Sequence, residues 1–439
     1  MQQQQKEGQP RLIQAMRDAF SLPDLRQRLV FTFGILVAFR FLVHVPLPGV
    51  DLAALTQFFE QNALLGMLDL FSGGAMRNFS IAAMGVYPYI TSSIIMQLLV
   101  PVIPSLQAIS QQGESGQRRI NRITHFLAVP LAALQAYSQL ALLTSQNVIA
   151  RPDVMTTITI ITCMTAGTIL LVWLGELITE RGIGNGISII IFAGIVASLA
   201  ESTGRAGLAF QENPIGTAVF GILGALTLVM IVVFIEAHRR IPVQYARSTF
   251  RGGRMYRQSG STYIPLRVNT AGMIPLIFAI AMMQLPQLIA SYFMNPQAPN
   301  VWDGLYRAFD ASAGLPGGLL YWGLYFLLVF GFTFFYTMVI FEQMSLPRTL
   351  QQQGGFVPGV RPGKSTSDYL NAIIKRLTFG GALFLAIVAI MPFLARVVTG
   401  VSVLTISSTA ILIAVGVALD VMKQLESQLT MRRYDGFLK

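Results

Sequence analysis

Apolar positions along this chain arrive in long unbroken runs, not in the alternation of a half-buried strand or the spaced stripe of a soluble helix. Ten such runs lie near residues 29–45, 79–100, 123–143, 154–178, 186–201, 215–236, 270–292, 318–341, 373–394 and 404–422. Each approaches the roughly 20 residues an α-helix needs to cross a hydrocarbon core, whereas barrel strands alternate over about ten residues. The pattern predicts an all-α polytopic membrane protein of ten transmembrane helices. Prolines within the runs (Pro88, Pro130, Pro275, Pro286) are compatible with this, because neighbouring helices and shifted backbone bonds satisfy the groups they free. One element breaks the rhythm. The stretch LLGMLDLF is apolar and helix-like but stops at Ser72-Gly73-Gly74, and span-length apolarity resumes only near Phe79. It predicts a half-length helix joined to the second span by a hinge. At the N-terminus, Leu12, Ile13, Met16, Ala19 and Phe20 recur at helical spacing, which predicts a helix lying on the membrane surface. No cleavable signal peptide is expected there.

Composition agrees with the pattern: 53% of residues are hydrophobic and 12% charged, about half the charge of a typical soluble chain. The net charge of +11 is distributed asymmetrically. Only Arg77, Arg151, Arg205, Arg307 and Arg396 fall on one side of the predicted spans and Arg40 lies within the first, which leaves 25 of the 31 Lys and Arg on the other. Positively charged loops stay in the cytoplasm, so both termini are predicted there. Ten spans divide as five plus five, and an odd number per half sets the halves in opposite orientations, as in inverted repeats. The expected organisation is a cytoplasmic amphipathic segment (1–28), an N-terminal half (29–203), a C-terminal half (204–423) with cytoplasmic loops at about 237–269 and 343–372, and a cytoplasmic tail (424–439).

Candidate chemistry is sparse. The single cysteine, Cys163, permits neither an internal disulfide nor a cysteine metal cluster. The histidines (His44, His125, His238) are far apart, with no evident liganding partner. Arg40 sits near the outer end of its span, within snorkelling reach, and Glu176, Glu236, Glu342 and Asp420 lie near cytoplasmic ends, where snorkelling or helix-end pairing accounts for them. GIGNG (182–186) follows no strand and predicts a tight cytoplasmic turn. No catalytic residue, metal or cofactor is predicted. An intramembrane protease would need a dyad within the spans, and an inverted-repeat solute transporter would need charged groups at a midplane site. The sequence offers neither.

The cytoplasmic loops are richer. EAHRRIPVQYARSTFRGGRMYRQSGSTYIPLRVN carries seven arginines on a segment whose Tyr, Ile, Val and Gly-Gly predict an ordered hairpin. GGFVPGVRPGK sets Arg361 between two Pro/Gly turns. Arginine's planar fork suits phosphate and carboxylate alike, so these loops fit an RNA backbone, an acidic protein face or anionic lipids.

These same segments carry a family resemblance. LFSGGAMRNFSIAAMGVYPYITSSIIMQLL, ITERGIGNGISIIIFAGIV, RRIPVQYA, TYIPLRVNTAGMIPLIFA, GGFVPGVRPGK and ESQLTMRRYDGFLK resemble SecY, the channel subunit of the bacterial protein-secretion translocon, in order and from about residue 20 onward. The resemblance implies a clamshell of two five-helix halves around a central pore in the bacterial cytoplasmic (inner) membrane. Through it unfolded polypeptides cross and membrane segments leave sideways into lipid. It implies that residues 62–77, with Leu65, Met67, Leu70, Phe71, Ser72, Gly73 and Gly74, form a plug. Residues alone leave open a re-entrant packing helix that never moves. It implies a pore ring of Val86, Ile90, Ile187, Ile191, Ile277 and Ile413, the last with its register open to Ile411 or Leu412. Val86-Tyr87 departs from the family's common Ile-Met. It implies a lateral gate with Thr91 and Gln135 on its seam. It implies docking through Arg251, Arg254, Arg361 and Lys364 to the SecA motor or a translating ribosome, and association with SecE and SecG.

Overall fold

The computed structural model describes residues 22–48, 55, 72–145, 149, 152–212, 214–251, 254–293, 300–309, 317–344, 346–361, 363–399 and 408–435. Each of the ten apolar runs contains a helix. These are α1 (Pro23–Val43), α2 (Tyr87–Val102), α4 (Glu114–Ser145), α5 (Val154–Arg181), α6 (Gly186–Glu212), α7 (Pro214–Glu236), α8 (Ile274–Phe293), α10 (Gly317–Met344), α12 (Lys364–Thr399) and α13 (Ser408–Asp435). Three short helices intervene: α3 (Pro104–Ser110), α9 (Val301–Ala308) and α11 (Leu346–Gln352). By length and apolarity alone, α5, α7, α10 and α12 are long enough to cross a membrane, and α2 with α3 qualifies as a pair bent by 102°. That bend has a local cause. Ile103 stands before Pro104 and is extended (φ −96°, ψ 112°), because a proline ring clashes with a helical residue ahead of it.

The second span starts later than the run of apolar residues predicts. Its helix begins at Tyr87, not near Phe79, and Pro88 sits in its first turn. The intervening residues bond elsewhere: Leu47 N–H donates to the Phe79 carbonyl (2.9 Å) and Ile81 N–H to the Val45 carbonyl (3.1 Å). These contacts flank a bridge between Pro46 and Ser80. Phe79 adopts φ +42°, which costs a non-glycine residue about 1–2 kcal/mol and ends any helical path. The Phe79 side chain, fully buried, holds the turn in place.

The chain forms two compact units: 1–211 with 291–294 and 403–439, and 212–290 with 295–402. In the first, Met76, Phe79, Ala83 and Met84 share a core with Ala132, Ala136 and Leu140 of α4 and Ile160 and Met164 of α5. Lipid is as apolar as this core, so close fit and hydrogen bonds hold it together, with small residues letting backbones approach; Ala132 and Ala136, one turn apart, are such residues. α2 is pinned to α4 by the Ser92 hydroxyl, which donates to the Thr124 carbonyl at 2.6 Å. α13 joins this unit through Leu425, which packs with Leu25 of α1 and Ile183 of the turn between α5 and α6. That turn is GIGNG, as predicted, with the Asn185 Oδ1 accepting the Ser188 N–H at 3.2 Å.

In the second unit the predicted hairpin is present as β1 (His238–Arg251) and β2 (Arg254–Arg267), antiparallel, with Ile241 opposite Ile264 and Arg251 opposite Arg254. Along β1, Ile241 and Val243 are buried and Pro242 exposed, the period of a strand with one covered face. A two-residue strand, β3 (Gly355–Phe356), adds to the other edge of β1, giving the order β2-β1-β3. The loops at about 237–269 and 343–372 thus form one sheet, a union that neither loop's sequence predicts. Its underside packs on Phe341, Leu350, Val357, Leu370, Ile373 and Ile374, so the sheet is mounted on α10, α11 and α12.

Candidate functional site

Ser72, Gly73 and Gly74 are the described part of the predicted plug; Leu65, Met67, Leu70 and Phe71 lie outside the described residues. Ser72 is buried, and its Oγ accepts the Met76 N–H at 3.1 Å. The Ser80 hydroxyl donates to the Ala75 carbonyl at 3.2 Å. This short turn-rich segment is therefore internally bonded and anchored to the end of α1, more a packed base than a loose link. Gly73 has φ +70°, and a Cβ there would lie 2.7 Å from Gly194 Cα and 3.2 Å from Phe39 Cζ. Arg40 extends over it: its Nη1 donates to the Gly73 carbonyl at 2.8 Å. The sequence assigned Arg40 to snorkelling; the structure gives it a protein acceptor.

Of the predicted ring residues, Val86, Ile191, Ile277 and Ile413 are buried, and Ile90 and Ile187 partly so. Val86 caps α2, and its carbonyl accepts the Ile90 N–H at 3.1 Å, so the i, i+4 relation survives at the helix edge. Ile187 and Ile191 are one turn apart on α6. Ile187 lies over Gly175 of α5, where a Cβ would come within 2.9 Å of its Cγ1. Ile413 and Leu412 are buried alike, and Ile411 is less so. At the predicted gate seam, the Thr91 hydroxyl donates to its own helix, to the Tyr87 carbonyl at 3.1 Å, and Gln135 is half-buried on α4.

A polar contact that the sequence does not reveal joins α4 to α5. His125 Nε2 lies 2.8 Å from Glu176 Oε1, and the Tyr89 ring on α2 meets the imidazole at a centroid distance of 5.1 Å. These residues line a cavity of about 750 Å³ together with Arg122, Thr168 and Glu180. Glu176 is thus a paired helix-end carboxylate, one of the two readings its position allowed. Among the described residues no group of three ligating side chains is placed to hold a metal.

The predicted docking residues sit on the three-stranded sheet and beside it. Arg251 and Arg254 are paired in register at the turn end of the hairpin. Arg361 is exposed, and its carbonyl accepts the Thr366 hydroxyl at 2.8 Å. Lys364, also exposed, starts α12. β3 and Thr366, which is buried, hold the backbone around Arg361 while its side chain reaches solvent.

A bundle of long apolar helices with a basic sheet on one unit is the fold of polytopic membrane channels already seen in solved structures. One, described as showing that the plug domain of the SecY protein stabilises the closed state of the translocation channel and maintains a membrane seal, matches with a TM-score of 0.65. It has 17% identity over 94% of this chain and 96% of that one. Sec61 in the canine ribosome-channel complex from the endoplasmic reticulum matches with a TM-score of 0.62 at 16% identity, over 94% and 96%. The SecY family model matches residues 80–422. The protein translocase subunit SecY of Thermotoga maritima is 41% identical over 97% of this chain and 98% of its own length. The chain belongs to the SecY family.

Proposed function

We propose that this chain is a protein-conducting channel of the bacterial cytoplasmic membrane. It moves unfolded secretory polypeptides across the bilayer and releases membrane segments laterally into it. The observation that carries this reading is the 41% identity, over 97% of the chain, to a protein translocase subunit, supported by the fold shared with translocation channels. Ten spans in two inverted five-helix halves, 29–203 and 204–423, put both termini in the cytoplasm. The seal is a collar of apolar side chains, Val86, Ile90, Ile187, Ile191, Ile277 and Ile413, which blocks ions by dewetting rather than by charge. Residues 62–77 form the plug above it. Thr91 and Gln135 lie on the lateral gate, where weak hydrogen bonds favour closure only modestly.

No chemistry occurs in this chain and no cofactor is needed; energy comes from partners. SecE clamps the halves, SecG is peripheral, and SecA or a translating ribosome docks on the sheet through Arg251, Arg254, Arg361 and Lys364. Anionic lipids meet the remaining cytoplasmic arginines. Reconstituted into vesicles with SecE and SecA, the chain is expected to shield an unfolded signal-bearing polypeptide from added protease in an ATP-dependent manner. Vesicles that protect no polypeptide but accumulate a small solute would contradict the reading.

A further inference from the structure

We propose that Arg40 is the latch of the resting channel, a positioning residue that holds the base of the plug against α1; this rests on residues 62–77 being the plug. Arg40 is the one ionisable residue of α1 beyond its first two turns. A guanidinium there is costly in lipid unless it is paired or reaches water, and here it is paired within the protein, through the 2.8 Å bond from Nη1 to the Gly73 carbonyl. Such a bond, with one partner charged, is stronger than an ordinary backbone bond.

The acceptor is held where the donor needs it. Gly73 adopts φ +70° and fits between Phe39, the neighbour of Arg40, and Gly194 of α6, where even one added carbon would collide. Phe39 is buried, as is Gly194. With the Gly73 Cα wedged between these two neighbours, its carbonyl accepts from Arg40. On the far side, the pairing of Val45–Leu47 with Phe79–Ile81 fixes the chain that follows. Residues 73 and 74 are therefore held at both flanks, and the Arg40 bond is the charged contact among those that seat them.

Release is cheap for the arginine itself. A long side chain near the end of its span reaches the membrane interface when it loses a protein partner, so Arg40 has a solvated home in the open state and a bonded one in the closed state. That is the requirement for a two-state element: the contact biases the equilibrium without trapping it.

The test is resting ion conductance of the full chain, reconstituted with its SecE partner in planar bilayers. Arg40→Leu is expected to raise the leak about tenfold, the scale of one lost hydrogen bond to a charged group. Leucine only makes α1 more apolar, so insertion is preserved. Arg40→Lys, which keeps a charged donor, is expected to restore most of the seal. Gly194→Val, which crowds Gly73 from the other side, is expected to leak as Arg40→Leu does. In a chain lacking residues 65–74, Arg40→Leu is expected to add nothing, since its acceptor is gone. Leak at the unmodified level in Arg40→Leu, beside a leaking 65–74 deletion, would overturn the latch and leave the plug reading standing. A tight deletion variant would overturn both. Extra leak from Arg40→Leu on the deletion background would also overturn the latch, because Arg40 would then be acting elsewhere.

Discussion

Arg361→Glu is expected to cut polypeptide translocation into reconstituted vesicles by about 30-fold or more, while membrane insertion and SecE association stay intact. The size follows from the chemistry of a docked charge: spoiling one partner of a buried, hydrogen-bonded pair costs about 2–5 kcal/mol. The specificity follows from the structure. Arg361 is exposed, while the backbone beneath it is secured by β3 on β1 and by the Thr366 hydroxyl. Charge reversal therefore changes what the sheet presents to a partner and leaves the sheet itself in place. Its core, from Ile241 and Val243 to Leu370 and Ile373, is untouched. Normal export by the variant would show that this arginine does not couple the channel to its motor.

Removing residues 65–74 is expected to raise resting ion conductance by roughly a hundredfold, equivalent to about 2.7 kcal/mol between sealed and leaking states. An apolar collar excludes ions only while it is narrow enough to stay dry, and side chains that part for a peptide also part transiently without one. A second barrier outside the collar makes the two openings coincide only rarely. On the proposed reading, the deletion removes that barrier together with Gly73, which is wedged between Phe39 of α1 and Gly194 of α6. Unchanged conductance would mean that these residues are a fixed packing element.

The helices and the hairpin were legible because both are local. Unbroken apolar runs need a lipid-facing helix, and a basic stretch broken by Gly252-Gly253 between arms carrying Tyr, Ile and Val folds on itself. The turn at 182–186 was legible for the same reason. The start of α2 was not. Residues 79–86 are as apolar as a span, and hydropathy cannot tell a helix from a buried turn whose backbone bonds to a distant segment. Pairing of Leu47 with Phe79 decided that boundary. The same limit hid β3, whose two residues say nothing of the strand they join. It also hid the contacts of Arg40 with Gly73 and of His125 with Glu176. Arg40 looked like a residue that reaches for water and His125 like one without a partner, and each has a protein partner far away in the chain. The ring residues are a different case. Isoleucine at four-residue spacing is ordinary in any span, and only the family resemblance singled out these six.

Passage of unfolded polypeptide through the apolar ring is tested most directly by site-directed crosslinking to a stalled substrate. With Cys163 replaced by serine, single cysteines are placed at Ile90, at Ile191 and, as a control, at Val233, which is 65% exposed on α7. A polypeptide carrying one cysteine and arrested midway is expected to form disulfides with positions 90 and 191 and not with 233. Disulfides at 233 alone, or none at 90 and 191 while the polypeptide is arrested, would contradict passage through the ring.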